Sequence, residues 1–183
     1  MKLNKLTEIM RIQGVSVYAH WTLVVLAIVI LFGAIERPAV TFAACGSFFG
    51  LLLIHEYGHM IIACRRKCEV TRIELYPILG FVRYSEPWSR YDDALIAWGG
   101  VAAQAVIATP LITWVSIFGF TRFDALNVTI GILGYFNVVI AVFNLIPVAL
   151  LDGATAWFLF PEVIKRMGHR GEKPRRAIGW RGW

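Results

Sequence analysis

The sequence of 183 residues is 58% hydrophobic and 16% charged, with a formal net charge of +6 and a mean hydropathy of +0.64. Soluble domains carry about 25% charged and 45–50% apolar residues, so this composition excludes a disordered chain, a disulfide-rich secreted module and an ordinary cytosolic enzyme. The length and the excess of apolar residues together predict one compact unit embedded in a membrane.

Four apolar stretches of about 22 to 27 residues follow one another along the chain, covering residues 14–35, 39–64, 94–120 and 125–151. About 20 apolar residues cross the hydrocarbon core as a helix, so each stretch is long enough. Backbone polar groups must be satisfied internally in lipid, and continuous apolar runs favour helices over alternating strands. The first stretch is predicted to be a retained span, because its apolar core is longer than that of a signal peptide.

The basic residues are distributed unevenly around these stretches. Sixteen of the 18 Lys and Arg residues precede the first stretch, lie between the second and third, or follow the fourth. Only Arg37 and Arg122 fall on the other side. The positive-inside rule therefore places both termini and the 65–93 loop in the cytoplasm. Because the basic residues flank apolar runs, we expect the lipid bilayer as a partner and no nucleic acid.

The loop between the second and third stretches contains a predicted β-hairpin. Across residues 72–84, β-branched and aromatic residues surround a break at Pro77 and Gly80. The predicted fold is an all-α polytopic membrane protein with about four transmembrane helices and this one short, membrane-dipping hairpin between helices two and three. Residues 1–166 are predicted to form a single membrane-embedded domain and residues 167–183 a basic cytoplasmic tail.

An H-E-x-x-H motif lies inside the second apolar stretch, at residues 55–59. Residues four apart share one face of a helix, so His55 and His59 can direct their ring nitrogens at one zinc ion. Glu56 stands beside them and can accept a proton from a water on that metal. A charge inside a membrane helix costs at least about 2.5–3.5 kcal/mol, which argues against a chance occurrence of this motif in a span.

Asp152 is the predicted third ligand, since catalytic zinc sites typically use three protein ligands. It is the only other acid near a span with no basic neighbour close in sequence. At a rise of about 1.5 Å per residue, the depths of His55 and Asp152 below the cytoplasmic boundary overlap. A His, His and carboxylate set favours one zinc ion per chain over other divalent ions. A metal-free polar cluster is the alternative interpretation of these residues.

Two motifs together resemble the signatures of the site-2 protease family of zinc intramembrane metalloproteases. They are H-E-x-x-H at residues 55–59 and N-x-x-P-x-x-x-L-D-G at residues 144–153. The resemblance covers roughly residues 11–160 and is to the compact prokaryotic type without a PDZ or CBS module. Val101 and Gln104 stand where this family usually has Pro and Asn, a departure expected to affect local helix packing.

The resemblance implies a zinc metalloendopeptidase with His55, His59 and Asp152 as metal ligands. It also implies Glu56 as the catalytic base and Asn144 as a residue that holds the substrate or the oxyanion. The implied partner is a single-span membrane protein that is cut within or near its transmembrane segment, as in regulated intramembrane proteolysis. The implied location is the cytoplasmic membrane of a prokaryote, with the active site in the cytoplasmic half of the bilayer.

An intact helix is a poor protease substrate, because its carbonyl groups are hydrogen-bonded and shielded. The substrate must therefore unwind locally before it is cut. We expect the hairpin at residues 72–84 to offer an edge strand that holds the unwound segment by β-augmentation.

Two other functions are compatible with the composition. A catalytically silent membrane scaffold could bind transmembrane helices, but it would have no need for the ligand set and Glu56. A metal transporter typically shows internal repeats and polar residues along several spans. The first and third apolar stretches carry almost no such residues.

Overall fold

The computed structural model describes residues 6–32, 36–77 and 79–169. In chain order, its elements are β1 (Leu6–Ile12), β2 (Val15–His20), α1 (Trp21–Leu31), α2 (Pro38–Arg65), β3 (Val70–Leu75), β4 (Gly80–Tyr84), α3 (Arg90–Phe118), α4 (Asp124–Ile130), a π-helical segment (Gly131–Phe136), α5 (Asn137–Asn144), α6 (Gly153–Ala156) and α7 (Leu159–His169). Of the predicted tail, residues 167–169 belong to α7, and residues 170–183 lie outside the described residues.

Among the described residues, three helices are long and apolar enough to cross a membrane: α2 with 28 residues, α3 with 29, and the 21-residue run Asp124–Asn144 that joins α4, the π-helical segment and α5. Apolar side chains stay exposed on their outer faces, among them Val106, Ile117, Val139 and Val142. Exposed apolar surface of this extent suits contact with lipid tails. The chain is therefore a mostly helical integral membrane protein, as predicted.

The first apolar stretch differs from its prediction as one long helix. Residues Val15–His20 form strand β2, and helix α1 has only 11 residues, about 16 Å at 1.5 Å per residue. The strand alternates Val15, Val17 and Ala19 with more polar residues, the period-2 pattern of a strand. The prediction of a helix from residue 14 is wrong, because a count of apolar residues overlooks this alternation.

The sheet is larger than the single predicted hairpin, so the all-α fold class is corrected to a mostly helical fold with a small mixed sheet. Its order is β1-β2-β3-β4, with antiparallel outer pairs and a parallel β2–β3 pair. The predicted hairpin is confirmed as β3 and β4, with Leu75 opposite Gly80. A second hairpin joins β1 to β2 through Gln13 and Gly14, both with positive φ, as a tight two-residue turn requires.

The last long helix ends earlier than predicted. The apolar stretch runs to residue 151, but α5 ends at Asn144. Pro147 has no backbone N–H and cannot continue a helix, so the chain turns back over residues 145–152. This turn carries Asp152 towards α2, and a longer helix would have carried it away.

The two longest helices, α2 and α3, approach each other closely at a pair of glycines. A Cβ atom on Gly58 would overlap the carbonyl oxygen of Gly99 on the facing helix. Small residues at such a crossing let the two backbones touch. This close approach sets α3 directly against the H-E-x-x-H face of α2.

Candidate metal centre

The two histidines of the H-E-x-x-H motif lie on one face of α2 and are buried, with 8% of His55 and 6% of His59 exposed. Their Nε2 atoms are 3.1 Å apart. The helical spacing alone accounts for this pairing, because residues four apart are neighbours on a helix surface.

Asp152 reaches the same point from the turn that follows α5. Its Oδ2 atom lies 3.0 Å from His55 Nε2 and 3.2 Å from His59 Nε2. Gly153 permits this turn, since a Cβ atom there would overlap the carbonyl oxygens of Leu145 and Ile146. The structure thus brings all three predicted ligand residues together.

Hydrogen bonds on the far side of each ring define which nitrogens face the centre. His59 Nδ1 lies 2.7 Å from the carbonyl oxygen of Ile96, which can only accept, so Nδ1 carries the proton. His55 Nδ1 lies 3.0 Å from Gln104 Oε1, which likewise accepts. In the neutral rings, both Nε2 atoms therefore present lone pairs to the centre.

Three electron-pair donors that converge in this way fit a cation. Asp152 Oδ2 is buried and has no hydrogen-bond donor among the described residues. Tetrahedral zinc with ligands at about 2.0–2.2 Å separates neighbouring ligand atoms by roughly 3.3–3.6 Å, close to the distances found here. A metal-free cluster would instead require at least one imidazolium to donate to Asp152. The donor set of two imidazoles and a carboxylate thus fits zinc.

Glu56 is buried next to the two histidines, with 3% of the residue exposed. Its carboxylate lies against Gly80, the first residue of β4, where a Cβ atom would overlap Glu56 Oε1. Gly100 serves the histidines in the same way, since a Cβ atom there would lie 2.5 Å from His55 Cε1 and 2.6 Å from His59 Nε2. The sequence indicates Gly80 only as part of the break between two strands, and the structure shows that both glycines make room for site residues.

Asn144 also lies at the centre, as the last residue of α5. Its Nδ2 atom is 3.4 Å from His55 Nε2, and the side chain is buried. The amide is therefore a hydrogen-bond donor within reach of the same small volume that the ligands surround.

Gln104 is a site residue that the sequence analysis assigned only to helix packing. It is 1% exposed, it contacts His55 through Oε1, and its backbone oxygen accepts a hydrogen bond from Asn137 Nδ2 at 3.0 Å. Gln104 could have been recognised from the sequence as a site residue, because it is a polar residue within an otherwise apolar membrane helix. Such residues indicate function by default.

Comparison of the sequence with models of protein families and with curated proteins finds no match. Among solved structures, the Site-2 Protease from Methanocaldococcus jannaschii matches with a TM-score of 0.69 at 19% sequence identity. The match covers 88% of this chain and 73% of that chain. The chain has the site-2 protease fold. The resemblance predicted from the two motifs is thus confirmed for the fold.

Within this site-2 protease fold, a cavity opens beside the candidate metal centre. Its walls come from α2, the first turns of α3, strand β4 and the turn after α5, and it is lined by Glu56, His59, Gly80, Phe81, Val82, Tyr84, Asp93, Ala97, Leu150, Leu151, Asp152 and Thr155. Strand β4 pairs with β3 on one side only. Its other edge carries no strand partner among the described residues, so it borders the cavity as a free edge.

Proposed function

We propose that the protein is a zinc-dependent intramembrane endopeptidase that cuts a peptide bond within or near the transmembrane segment of a single-span membrane protein. The observation that carries this proposal is the convergence of His55 Nε2, His59 Nε2 and Asp152 Oδ2 beside the buried Glu56, on a helix long enough to cross a membrane. The likeness in fold to a site-2 protease supports the same activity.

His55, His59 and Asp152 would hold one zinc ion per chain. When bound, zinc polarises the scissile carbonyl and lowers the pKa of a water towards about 7. Gln104 Oε1 and the carbonyl oxygen of Ile96 hold the two imidazoles in the tautomer that presents Nε2. Such outer partners orient metal ligands and raise their basicity.

Glu56 would accept a proton from the attacking water and deliver it to the departing amine. Asn144 Nδ2 would donate a hydrogen bond to the oxygen on which negative charge develops, and its distance of 3.4 Å from His55 Nε2 supports this role. Both groups act in a buried site, where each hydrogen bond and charge interaction is stronger than in water.

The cavity beside the centre is bordered by the free edge of β4. A helical substrate must unwind before its carbonyl groups are accessible, so the segment that reaches the centre is extended. The free edge of β4 can pair with such a segment by main-chain hydrogen bonds, which is the β-augmentation mode of recognition.

The proposed membrane arrangement keeps the four-span topology of the sequence analysis. Helix α1 has 11 residues, fewer than the about 20 that cross the hydrocarbon core, so the first span would also include the chain that joins α1 to Pro38. The exposed side chains of α1 include Val24, Val25, Ile28 and Val29, an apolar surface suited to lipid. Both termini, the hairpin of β3 and β4 and the centre would face the cytoplasmic side of a prokaryotic cytoplasmic membrane. Residues 1–166 would form the protease domain and residues 167–183 its basic tail.

The first test measures the metal content of protein purified in detergent, and it needs no known substrate. The wild type should carry about one zinc ion per chain, and the double variant with His55→Ala and Asp152→Ala should carry none. His20→Ala is a matched control, because His20 caps α1 away from the centre. A folded wild type without zinc, even after zinc is supplied, would favour the silent scaffold.

The second test concerns catalysis. Candidate single-span proteins are co-expressed with the wild type and with Glu56→Gln, and their cleavage products are identified by mass spectrometry. Products that depend on Glu56, while the variant retains zinc and still binds the same proteins, support a protease. Identical products from both proteins would contradict it.

A further inference from the structure

Asp92 and Asp93 both lie in the first turn of α3, but their side chains have different environments. Asp92 accepts a hydrogen bond from Arg66 Nε at 2.6 Å and one from Ser89 Oγ at 2.7 Å. Asp93 accepts a hydrogen bond from the hydroxyl of Tyr84 at 3.3 Å, and it lines the cavity beside Glu56. Acidic residues in a first turn favour the helix N-terminus, but only Asp93 also lines the cavity.

The charge of the cavity is unbalanced at Asp93. The residues that line the cavity include no Lys or Arg, and among the described residues Asp93 takes part in no ion pair. A zinc ion would balance Asp152 and Glu56, and one carboxylate would remain. Asp93 is only partly buried and lies in the first turn of α3, where a carboxylate is stabilised without a basic partner. It can therefore pair with a cation that a ligand brings into the cavity.

We propose that Asp93 and Tyr84 form a subsite for a Lys or Arg side chain of the substrate. The proposal rests on the proposed protease function and adds a substrate class to it. A carboxylate already held by one hydroxyl binds an ammonium or guanidinium group by charge-assisted hydrogen bonds, which are among the strong ones in proteins. The subsite selects substrates that carry a basic residue at a defined distance from the scissile bond.

Strand β4 sets that distance. Gly80 lies against Glu56, and Tyr84, which binds Asp93, follows four residues later on the same face of the strand. At about 3.3 Å per residue, the two ends of β4 are roughly 13 Å apart. An extended substrate paired with β4 advances by the same rise. The basic residue therefore lies about four residues from the scissile bond.

This requirement suits the chemistry of membrane spans. Lys and Arg concentrate at the cytoplasmic flank of a transmembrane segment, and their long side chains reach towards the interface from positions inside it. Asp93 lies in the first turn of α3. A single-span segment with a basic cytoplasmic flank thus matches a cavity whose lining includes both Glu56 and Asp93.

Binding of paired peptides tests the subsite without catalysis. The protein carries Glu56→Gln, so that bound peptides are not cut. The probes are fluorescently labelled apolar peptides in detergent. The two peptides of each pair bear Lys or norleucine at the same position, and this position is varied along the peptide from one pair to the next. Norleucine keeps the aliphatic stem and lacks the ammonium group. We expect Lys to bind about tenfold more tightly at one position, in line with a hydrogen bond to a charged group.

Two variants locate the effect. Asp93→Asn should bring the Lys-to-norleucine affinity ratio close to one, and Tyr84→Phe should lower it in part. Asp92→Asn is the matched control, because it removes the same charge from the neighbouring residue, which lies outside the cavity lining. Its ratio should equal that of the parent protein.

Equal affinities for the Lys and norleucine peptides at every peptide position, measured with the protein that retains Asp93, would overturn the proposal. A preference for Lys that is unchanged in Asp93→Asn would also overturn it. The first comparison needs no further variant, so poor folding of Asp93→Asn does not obscure it. Failure of the protease function gives a different result, namely no Glu56-dependent products from the wild type. Where the wild type cuts a Lys peptide, the Lys should lie about four residues from the cut.

Discussion

Zinc binding at the centre depends on single residues of two kinds: the ligands themselves, and the groups that hydrogen-bond to the ligands and orient them. Gln104 and the carbonyl oxygen of Ile96 each accept a hydrogen bond from a histidine Nδ1. Without these acceptors, each neutral ring could place its proton on Nε2 and lose its lone pair towards the centre. The basicity and orientation of His55 therefore depend on a neutral amide of α3.

Replacing Gln104 by Ala should weaken zinc binding by about 10–100-fold, because the variant removes the acceptor for His55 Nδ1. Competition with a chromophoric chelator measures the zinc affinity. Gln104→Glu is the matched control, since its carboxylate keeps an acceptor oxygen, and it should retain most of the affinity. An Ala variant with the affinity of the wild type would show that the contact does not position His55.

Replacing Gly80 by Ala should lower cleavage by about 100-fold or more, the usual scale of a displaced general base. The new methyl group would overlap the Glu56 carboxylate, while the zinc ligands keep their contacts. Gly46→Ala is the matched control, because open space surrounds that position on α2. Equal loss of zinc and of activity in Gly80→Ala would point to general disruption of the site.

At the scale of elements, the contact between α2 and α3 holds the two walls of the centre together. Gly58 and Gly99 meet backbone to backbone, and the histidines, Ile96 and Gln104 lie along the same interface. A change in the separation of these helices therefore moves the histidines relative to their acceptors.

Replacing Gly58 by Ala should destabilise the protein by about 1–3 kcal/mol, because the added methyl group forces the two backbones apart. The same variant should also lower zinc content, since the acceptors on α3 move with the helix. Thermal unfolding in detergent measures the stability. Gly50→Ala on the same helix has nothing within 4 Å of its new methyl group, and Ala favours a helix over Gly, so this variant should not lower the melting temperature.

Proline substitutions in β4 test whether its free edge pairs with the substrate. Proline removes one backbone N–H, so Pro at an outward-facing position of β4 should weaken substrate pairing by about 1 kcal/mol, or roughly fivefold, for each hydrogen bond lost. Cleavage rates across a proline scan of Gly80–Tyr84 measure the effect. Unchanged cleavage at every position would exclude β-augmentation at this edge.

At the scale of the whole molecule, a metal ion at this centre would connect elements that are distant in the chain. The ligands come from α2 and from the turn after α5, and α3 supplies their acceptors. Any ligand that binds only the folded state stabilises it by mass action.

Removal of zinc should therefore lower the stability of the entire membrane domain. At a free zinc concentration of 100 times the dissociation constant, the stabilisation is about 2.7 kcal/mol. Melting temperatures with and without a chelator measure it. The double variant with His55→Ala and Asp152→Ala should melt at the same temperature in both conditions, and a wild type insensitive to the chelator would argue against a metal that links these elements.

The amino-acid sequence alone predicts the membrane class, the positions of α2 and α3, the hairpin of β3 and β4, and the shared face of His55 and His59. These features follow from composition and from periodicities between near neighbours in the chain. The early end of α5 before Pro147 and the strand before α1 are also local signals, which a count of apolar residues overlooks. The contact of Gln104 with His55, the room that Gly80 makes for Glu56 and the place of Asp93 in the cavity are seen only in the folded protein. These features depend on contacts between residues that are far apart in the sequence. His55 and Gln104 are separated by 49 positions, and His55 and Asn144 by 89. No local sequence pattern indicates which distant side chains will be in contact.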